Sequence, residues 1–115
     1  MKDISVVFRI AVNANIEKII DILKKYTDTC MVSLDEKKLV IRRNNVVIGY
    51  NEDYDEELSI IDEDRYLYYE NNIDFYPIDD AITLENQIQL AKEISKKFVD
   101  YGIDSEIIAE FEYLL

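Results

Sequence analysis

The sequence predicts one α+β domain over residues 1–115, with an antiparallel or mixed sheet of five to seven strands and two helices packed on one face. Two segments far apart in the chain carry apolar residues at helical spacing. The stretches around them show the period of two that is typical of strands. Only two glycines and one proline occur, so most of the chain is expected to form regular structure.

The N-terminal half is predicted to contain a strand, a helix and a meander of strands. Apolar side chains alternate with others from Ile4 to Val12, which indicates a strand with one face on the core. Asn13 or Asn15 is expected to cap the following helix. The apolar stripe of this helix consists of Ile16, Ile19, Ile20, Leu23 and Tyr26. Three short strands are predicted within residues 30–50, with Asn44 and Asn45 in the last turn because asparagine tolerates a positive φ.

The C-terminal half is predicted to contain a long strand, a helix and a last strand. The long strand covers residues 65–77 and ends at Pro77, with Leu67, Tyr69, Ile73 and Phe75 on one face. Asp80 or Thr83 is expected to cap the helix, and Gly102 to end it. Its stripe consists of Leu84, Ile88, Ala91, Ile94, Phe98 and Tyr101. A strand over residues 107–113 follows, and a ferredoxin-like arrangement is one topology compatible with this order.

The charge of the chain restricts the class of ligand. Thirteen basic and 25 acidic side chains give a formal net charge of −12. Such a surface repels nucleic acid and anionic lipid, and no apolar run is long enough for a membrane helix. It attracts a basic partner, although ordinary solubility would also account for the composition. The single cysteine, Cys30, cannot form an internal disulfide, so a cytoplasmic protein is expected.

The composition also argues against catalysis. The chain has no histidine, the commonest general base and transition-metal ligand. Cys30 lies beside an apolar strand, where a buried structural thiol is expected. Adjacent carboxylates are abundant, but the segment Asp53 to Asp64 lacks the glycine of an EF-hand calcium loop. We therefore expect a protein that is not an enzyme and that uses neither a cofactor nor a metal.

An acidic tract interleaved with tyrosines is the candidate binding site. Residues 52–64 carry eight acidic side chains and no basic one, and the apolar residues within this tract indicate a short strand or bend with solvated flanks. Tyrosine offers a large contact area with a polar tip, and carboxylates complement lysine and arginine. The predicted partner-binding residues are Tyr50, Glu52, Asp53, Tyr54, Asp55, Glu56, Glu57, Asp62, Glu63, Asp64, Tyr66 and Tyr68. Alternatively, these tyrosines are half-buried strand residues, an interpretation we prefer for Tyr69 but not for Tyr54.

Residues 65–115 suggest a family. The segments RYLYYENNIDFYP and QIQLAKEISKKFVDYGIDSEIIAEFEYLL comprise a tyrosine-rich strand, a helix, a glycine turn and an acidic strand ending in Glu-Phe-Glu. This pattern resembles the end of small acidic bacterial immunity proteins encoded beside polymorphic toxins. The resemblance implies a cytoplasmic protein that occludes a toxin, often a basic nuclease, and it assigns no role to any residue. A phage-encoded DNA mimic against restriction or CRISPR machinery and an accessory subunit without a charge-specific role are the alternatives.

Overall fold

A computed structural model describes residues 6–25, 29–33 and 38–115. These residues contain six strands: β1 (Phe8–Val12), β2 (Thr29–Ser33), β3 (Lys38–Ile41), β4 (Asn44–Tyr50), β5 (Asn71–Pro77) and β6 (Ser105–Ala109). The α-helices are α1 (Ile16–Lys24), the short α2 (Leu58–Ile61) and α3 (Leu84–Asp100). Two 3-10 helices span Arg65–Tyr68 and Glu112–Leu114. The predicted succession of strand, helix, meander, strand, helix and strand is confirmed.

The strands form one sheet in the order β2-β3-β4-β5-β1-β6, and each neighbouring pair is antiparallel. The unit β5-α3-β6 encloses β1, as in one half of a ferredoxin-like arrangement. The other unit, β1-α1-β2, encloses β5, β4 and β3. The β3-β4 hairpin therefore extends the sheet beyond the simple split βαβ pattern. The α+β class is confirmed.

Helices α1 and α3 pack on the same face of the sheet. Ile19 of α1 and Phe98 of α3 are buried in one cluster with Ile10 and Ile73 from the central strands. The rings of Phe8 and its cross-strand neighbour Phe75 stack with their centroids 4.3 Å apart. Within the described ranges, no helix is both long and apolar enough to cross a membrane.

The predicted N-caps of both long helices and the predicted end of α3 are confirmed. Asn15 caps α1 by accepting a hydrogen bond from the backbone N–H of Lys18 at 2.9 Å, and Thr83 caps α3 in the same manner. Gly102 has a φ of 71° after the end of α3. The N–H of Ile103 donates to the carbonyl of Phe98 at 2.9 Å, which completes a Schellman motif.

The stripe of α3 differs from the predicted one. Ala91, Ile94 and Phe98 are buried as expected, and Leu84 and Ile88 pack against the core while partly exposed. Tyr101 is exposed, and the buried face instead includes Gln87 and Leu90. The buried face of α3 is thus rotated slightly relative to the predicted stripe. The polar side chain of Gln87 can lie on this face because it has hydrogen-bond partners there. The predicted Ile4 and Tyr26 lie outside the described residues, as does the side chain of Cys30 in β2.

The turn between β3 and β4 was predicted wrongly. Arg42 and Arg43, with φ of 44° and 63°, form it, while Asn44 and Asn45 belong to β4. Pairing of Ile41 with Asn44 leaves two residues in the turn, and a type I′ turn needs positive φ at both. The Asn44 side chain donates hydrogen bonds to the carbonyls of Ile41 and Arg42. The Asn44 side chain therefore stabilises the turn, although Asn44 itself is the first residue of β4.

The second half of the chain contains less strand than predicted. Arg65–Tyr68 is a 3-10 helix, so the strand that was expected from position 65 begins only at Asn71. The expected short strand or bend within the acidic tract is the helical turn α2. The last strand ends at Ala109, and Phe111 enters the core from the turn that follows. In each segment, local hydrogen bonds to side chains or within a turn replace strand pairing.

Candidate partner-binding surface

The connection between β4 and β5, residues 51–70, is a folded insertion that carries the acidic tract; we call it the acidic insertion. The N–H of Asn51 donates to the carbonyl of Glu70 at 2.9 Å, so the insertion closes at the end of the hairpin. A second backbone bond joins Asp55 to Tyr68 at 3.2 Å. Helix α2 contacts the 3-10 helix. The acidic tract is therefore part of a defined structure.

Asn51 organises the base of the insertion. Its Nδ2 donates to the carbonyls of Leu67 and Tyr69 at 2.9 Å and 2.7 Å. Its Oδ1 accepts from the N–H of Asp53 at 3.1 Å. One side chain thereby satisfies backbone groups from both arms of the insertion, which explains why the chain here leaves the strand conformation.

Two carboxylates of the tract have structural roles. Oδ1 of Asp55 accepts from the N–H groups of Glu57 and Leu58, at 3.0 Å and 2.9 Å, and so supports the start of α2. Oδ1 of Asp62 accepts from the N–H of Asp64 at 2.8 Å and supports the next turn. These bonds fix the backbone, and the side chains of the other acidic residues are left to face solvent.

The insertion packs over one end of the sheet, on the face opposite α1 and α3. Ala11 alternates with the core residues of β1, yet it is buried, and the 3-10 helix Arg65–Tyr68 contacts β1. Tyr69 is also buried, but it precedes β5 and so is not the strand residue that was expected. Ser59 is buried as well, and the side-chain amide of Asn13 donates to its hydroxyl at 3.5 Å. These contacts attach the insertion to the domain.

The carboxylates of the acidic tract are mostly exposed to solvent. Seven of the eight acidic residues between positions 52 and 64 are exposed, and Asp62 is half-buried. Across residues 6–25, 29–33 and 38–115, ion pairs join Arg9 to Asp74, Arg42 to Glu93 and Arg43 to Asp79, and none reaches this tract. The described carboxylates also form no cluster that would hold a metal ion. The ion pairs among the described residues therefore leave the dense negative charge of this tract in place.

The predicted tyrosines occupy different positions. Tyr50, which is 64% exposed, meets the half-buried Tyr54 edge to face, with ring centroids 6.3 Å apart. Partial desolvation, followed by the negative charges of Glu70 and Glu56, raises the pKa of the Tyr54 phenol above its ordinary value. This phenol therefore remains a neutral hydrogen-bond donor among carboxylates.

A shallow depression brings part of the predicted site together. Its volume is about 400 Å³, and it is lined by Glu52, Asp53, Tyr54, Asp55, Leu58, Leu67 and Tyr68. Glu63 and Asp64 lie outside this lining, in the turn between α2 and the 3-10 helix. Tyr66 lines a different groove beside β6, and Tyr50 borders a third depression near the start of α1. The predicted residues form a surface with several parts rather than one pocket.

The structure adds apolar residues that sequence reasoning had not assigned to the site. Ile60 and Ile61 of α2 are 66% and 67% exposed, and Leu67 is 49% exposed. The predicted strand had placed Leu67 on the core face. The helical form of the two short segments turns these side chains outward, and segments of four residues are too short to reveal a helical period. The presence of aliphatic residues within a tract that is otherwise charged was the available signal.

Comparison with protein-family models, curated protein sequences and solved structures finds no match to this chain.

Proposed function

We propose that this chain is a binding protein that occludes a basic partner protein through its acidic insertion and performs no catalysis of its own. The observation that carries this proposal is the exposure of Ile60, Ile61 and Leu67 among carboxylates that no ion pair of the described residues reaches. Protein interfaces commonly combine a desolvated apolar centre with a polar or charged rim. The insertion offers both features on a folded support.

The same features favour an inhibitor of a basic protein, such as an immunity protein against a toxin that acts in the cytoplasm. A nuclease active site must attract phosphate, and an acidic surface complements it. A DNA mimic would meet a cleft that is mostly polar and cationic, because nucleic-acid interfaces are more polar than protein interfaces. The exposed aliphatic residues have no role in such a cleft, so we prefer occlusion of a toxin.

The decisive experiment is affinity capture from the native host with matched charge variants. Reversal of Glu56, Glu57 and Glu63 to lysine alters exposed carboxylates. It keeps Asp55 and Asp62, whose side chains accept hydrogen bonds from backbone N–H groups. The control reverses Asp21, Asp80 and Asp100, which are exposed elsewhere on the domain. We expect the unaltered chain and the control to recover the same basic protein, and the insertion variant to lose it.

Function is then tested with the recovered partner itself. The partner should harm cells when expressed alone, and the unaltered chain should restore growth where the insertion variant does not. An acidic partner, or equal capture by the insertion variant, would refute the proposed role of the insertion. Growth inhibition that this chain does not relieve would refute toxin neutralisation.

A further inference from the structure

Strand β6 is an edge of the sheet, and its open side can be identified. Among the described strands, β6 pairs with β1 alone. The N–H of Asn13 donates to the carbonyl of Asp104 at 2.9 Å, at the position that continues the register of Val12 with Ser105. Bonded and non-bonded pairs alternate in an antiparallel ladder. Glu106 and Ile108 therefore bond to β1, whereas Ser105, Ile107 and Ala109 direct their backbone groups away from it.

A groove of about 550 Å³ follows this open edge. Ser95 of α3 lines it on the helix-covered face, where its hydroxyl lies 3.5 Å from that of Ser105. Tyr66 of the acidic insertion also lines the groove, together with Glu106 and Ile108. Because side chains alternate along a strand, Glu106 and Ile108 point to the face of the sheet opposite to that of Ile107. The edge thus has side-chain walls on both faces.

We propose that the open edge of β6 binds an extended basic segment of a partner protein as an additional strand. Ser105, Ile107 and Ala109 would supply the backbone hydrogen bonds, since an unpaired edge is a template for another strand. Apolar side chains of the segment would face α3 beside Ile107. Lysine or arginine would alternate with them and face Glu106.

Charge distinguishes this occupant from a second copy of the chain. The charged residues that line the groove, Glu106 and Glu112, are both acidic. Two copies paired through β6 would bring these carboxylates together, and each copy carries a net charge of −12. Like charges opposite each other destabilise a strand pair. The inference rests on the proposed function because it names a basic partner. The edge of β6 and the carboxylates of the insertion can still be tested separately.

The test uses a short capped peptide in which lysine and valine alternate, added to the full chain. Amide hydrogen exchange followed by NMR should slow by at least about tenfold at Ser105, Ile107 and Ala109. Exchange at Glu106 and Ile108 should change little, because these groups already bond to β1. The same peptide methylated on alternate backbone nitrogens, and a peptide with glutamate in place of lysine, should not bind.

Matched variants connect this pattern to the edge. Ser105→Pro removes an outward N–H and should weaken peptide binding by about tenfold or more, whereas Ser105→Ala should bind normally. If the proline variant does not fold, the exchange pattern of the unaltered chain decides the question. Four results would each overturn the proposal. In the exchange experiment, this would be protection at Glu106 equal to that at Ser105. The others are binding of the methylated peptide, no binding of the basic peptide, and dimers that Ser105→Pro abolishes. The Glu56, Glu57 and Glu63 reversal should retain the protection, so the two proposals can fail independently.

Discussion

The side-chain amides of Asn44 in β4 and Gln87 in α3 form two reciprocal hydrogen bonds in the core, at 3.0 Å and 2.9 Å. Both residues are almost completely buried. The Asn44 amide also bonds to the β3-β4 turn, and the Gln87 amide donates to the carbonyl of Val6 at 2.8 Å. This pair therefore links a turn, a helix and the segment before β1.

Gln87→Leu should destabilise the fold by about 2–4 kcal/mol, because an orphaned buried polar group costs roughly 1–3 kcal/mol and the substitution leaves groups of Asn44 and Val6 unpaired. The exposed neighbour Asn86 provides a control, for which Asn86→Ala should cost less than about 0.5 kcal/mol. Urea unfolding gives both values. Adding Asn44→Leu to Gln87→Leu should cost less than the sum of the single changes, and strict additivity would contradict the coupling.

The pair also shows where sequence reasoning succeeds and where it does not. Apolar periodicity correctly predicted the burial of Ile94 and Phe98, because their environment follows from the helix alone. Asn44 was assigned to a turn because its local preference favours one. In the structure Asn44 lies in β4 and bonds to Gln87, which lies 43 residues away in the sequence. Hydrogen bonds between distant residues leave no local pattern to detect.

Phe98→Ala should destabilise the protein by about 3–5 kcal/mol, as expected for truncation of a fully buried aromatic residue. The adjacent Val99 is 66% exposed, so Val99→Ala should change the free energy of unfolding by less than about 0.5 kcal/mol. Denaturant melts of the two variants provide the comparison. A decrease in the free energy of unfolding below roughly 1 kcal/mol for Phe98→Ala would mean that Phe98 is not buried between α3 and the sheet.

The two glycines should respond in opposite directions to substitution by alanine. Gly102 has a φ of 71°, where a Cβ is unfavourable, so Gly102→Ala should cost about 1 kcal/mol. Gly49 has no positive φ, and a Cβ there would meet nothing within 4 Å. Gly49→Ala should therefore raise the free energy of unfolding by about 0.5 kcal/mol, by restricting the unfolded chain. Thermal unfolding should rank Gly49→Ala above the unaltered chain, and the reverse order would contradict the backbone argument.

Asp79 should give part of the acid sensitivity. The N–H of Ala81, followed by the Arg43 guanidinium, lowers the pKa of this carboxyl below its ordinary value. Its stabilising contribution is complete above the unfolded pKa and is lost as the pH falls through the folded pKa. Carbon-detected NMR titration should show that Arg43→Ala restores the pKa only partly, because the Ala81 bond remains. Complete restoration would assign the shift to Arg43 alone, and Asp79→Asn should abolish this component of the pH dependence.

Charge and contact area at the acidic insertion should have different kinetic effects on the captured partner. Reversal of Glu56, Glu57 and Glu63 should reduce the association rate and its dependence on salt, because exposed rim charges act mainly on encounter. Leu67→Ala should instead raise the dissociation rate, because the lost apolar contact forms only in the bound complex. Surface plasmon resonance at several salt concentrations separates the two rates. An unchanged association rate for the charge variant would contradict electrostatic attraction through the insertion.

The candidate site was predicted in part. The density of carboxylates around Tyr54 is a property of the sequence, and it identified the insertion correctly as a charged surface. Leu67 is exposed in a 3-10 helix where alternation had indicated a strand, and the side-chain amide of Asn51 donates to its carbonyl. Alternation of apolar and polar residues predicts side-chain directions only along an extended backbone. It cannot show that the backbone at Leu67 is helical.

The closure between Asn51 and Glu70 has an evolutionary consequence. The chain leaves β4 and enters β5 at adjacent positions, so the intervening residues can vary in length and charge while the hairpin keeps its register. Within the insertion, Ser59 and Tyr69 are buried and attach it to the domain. The exposed residues of this connection can therefore change while the core residues are kept. The same separation makes this connection a suitable place to graft a different loop.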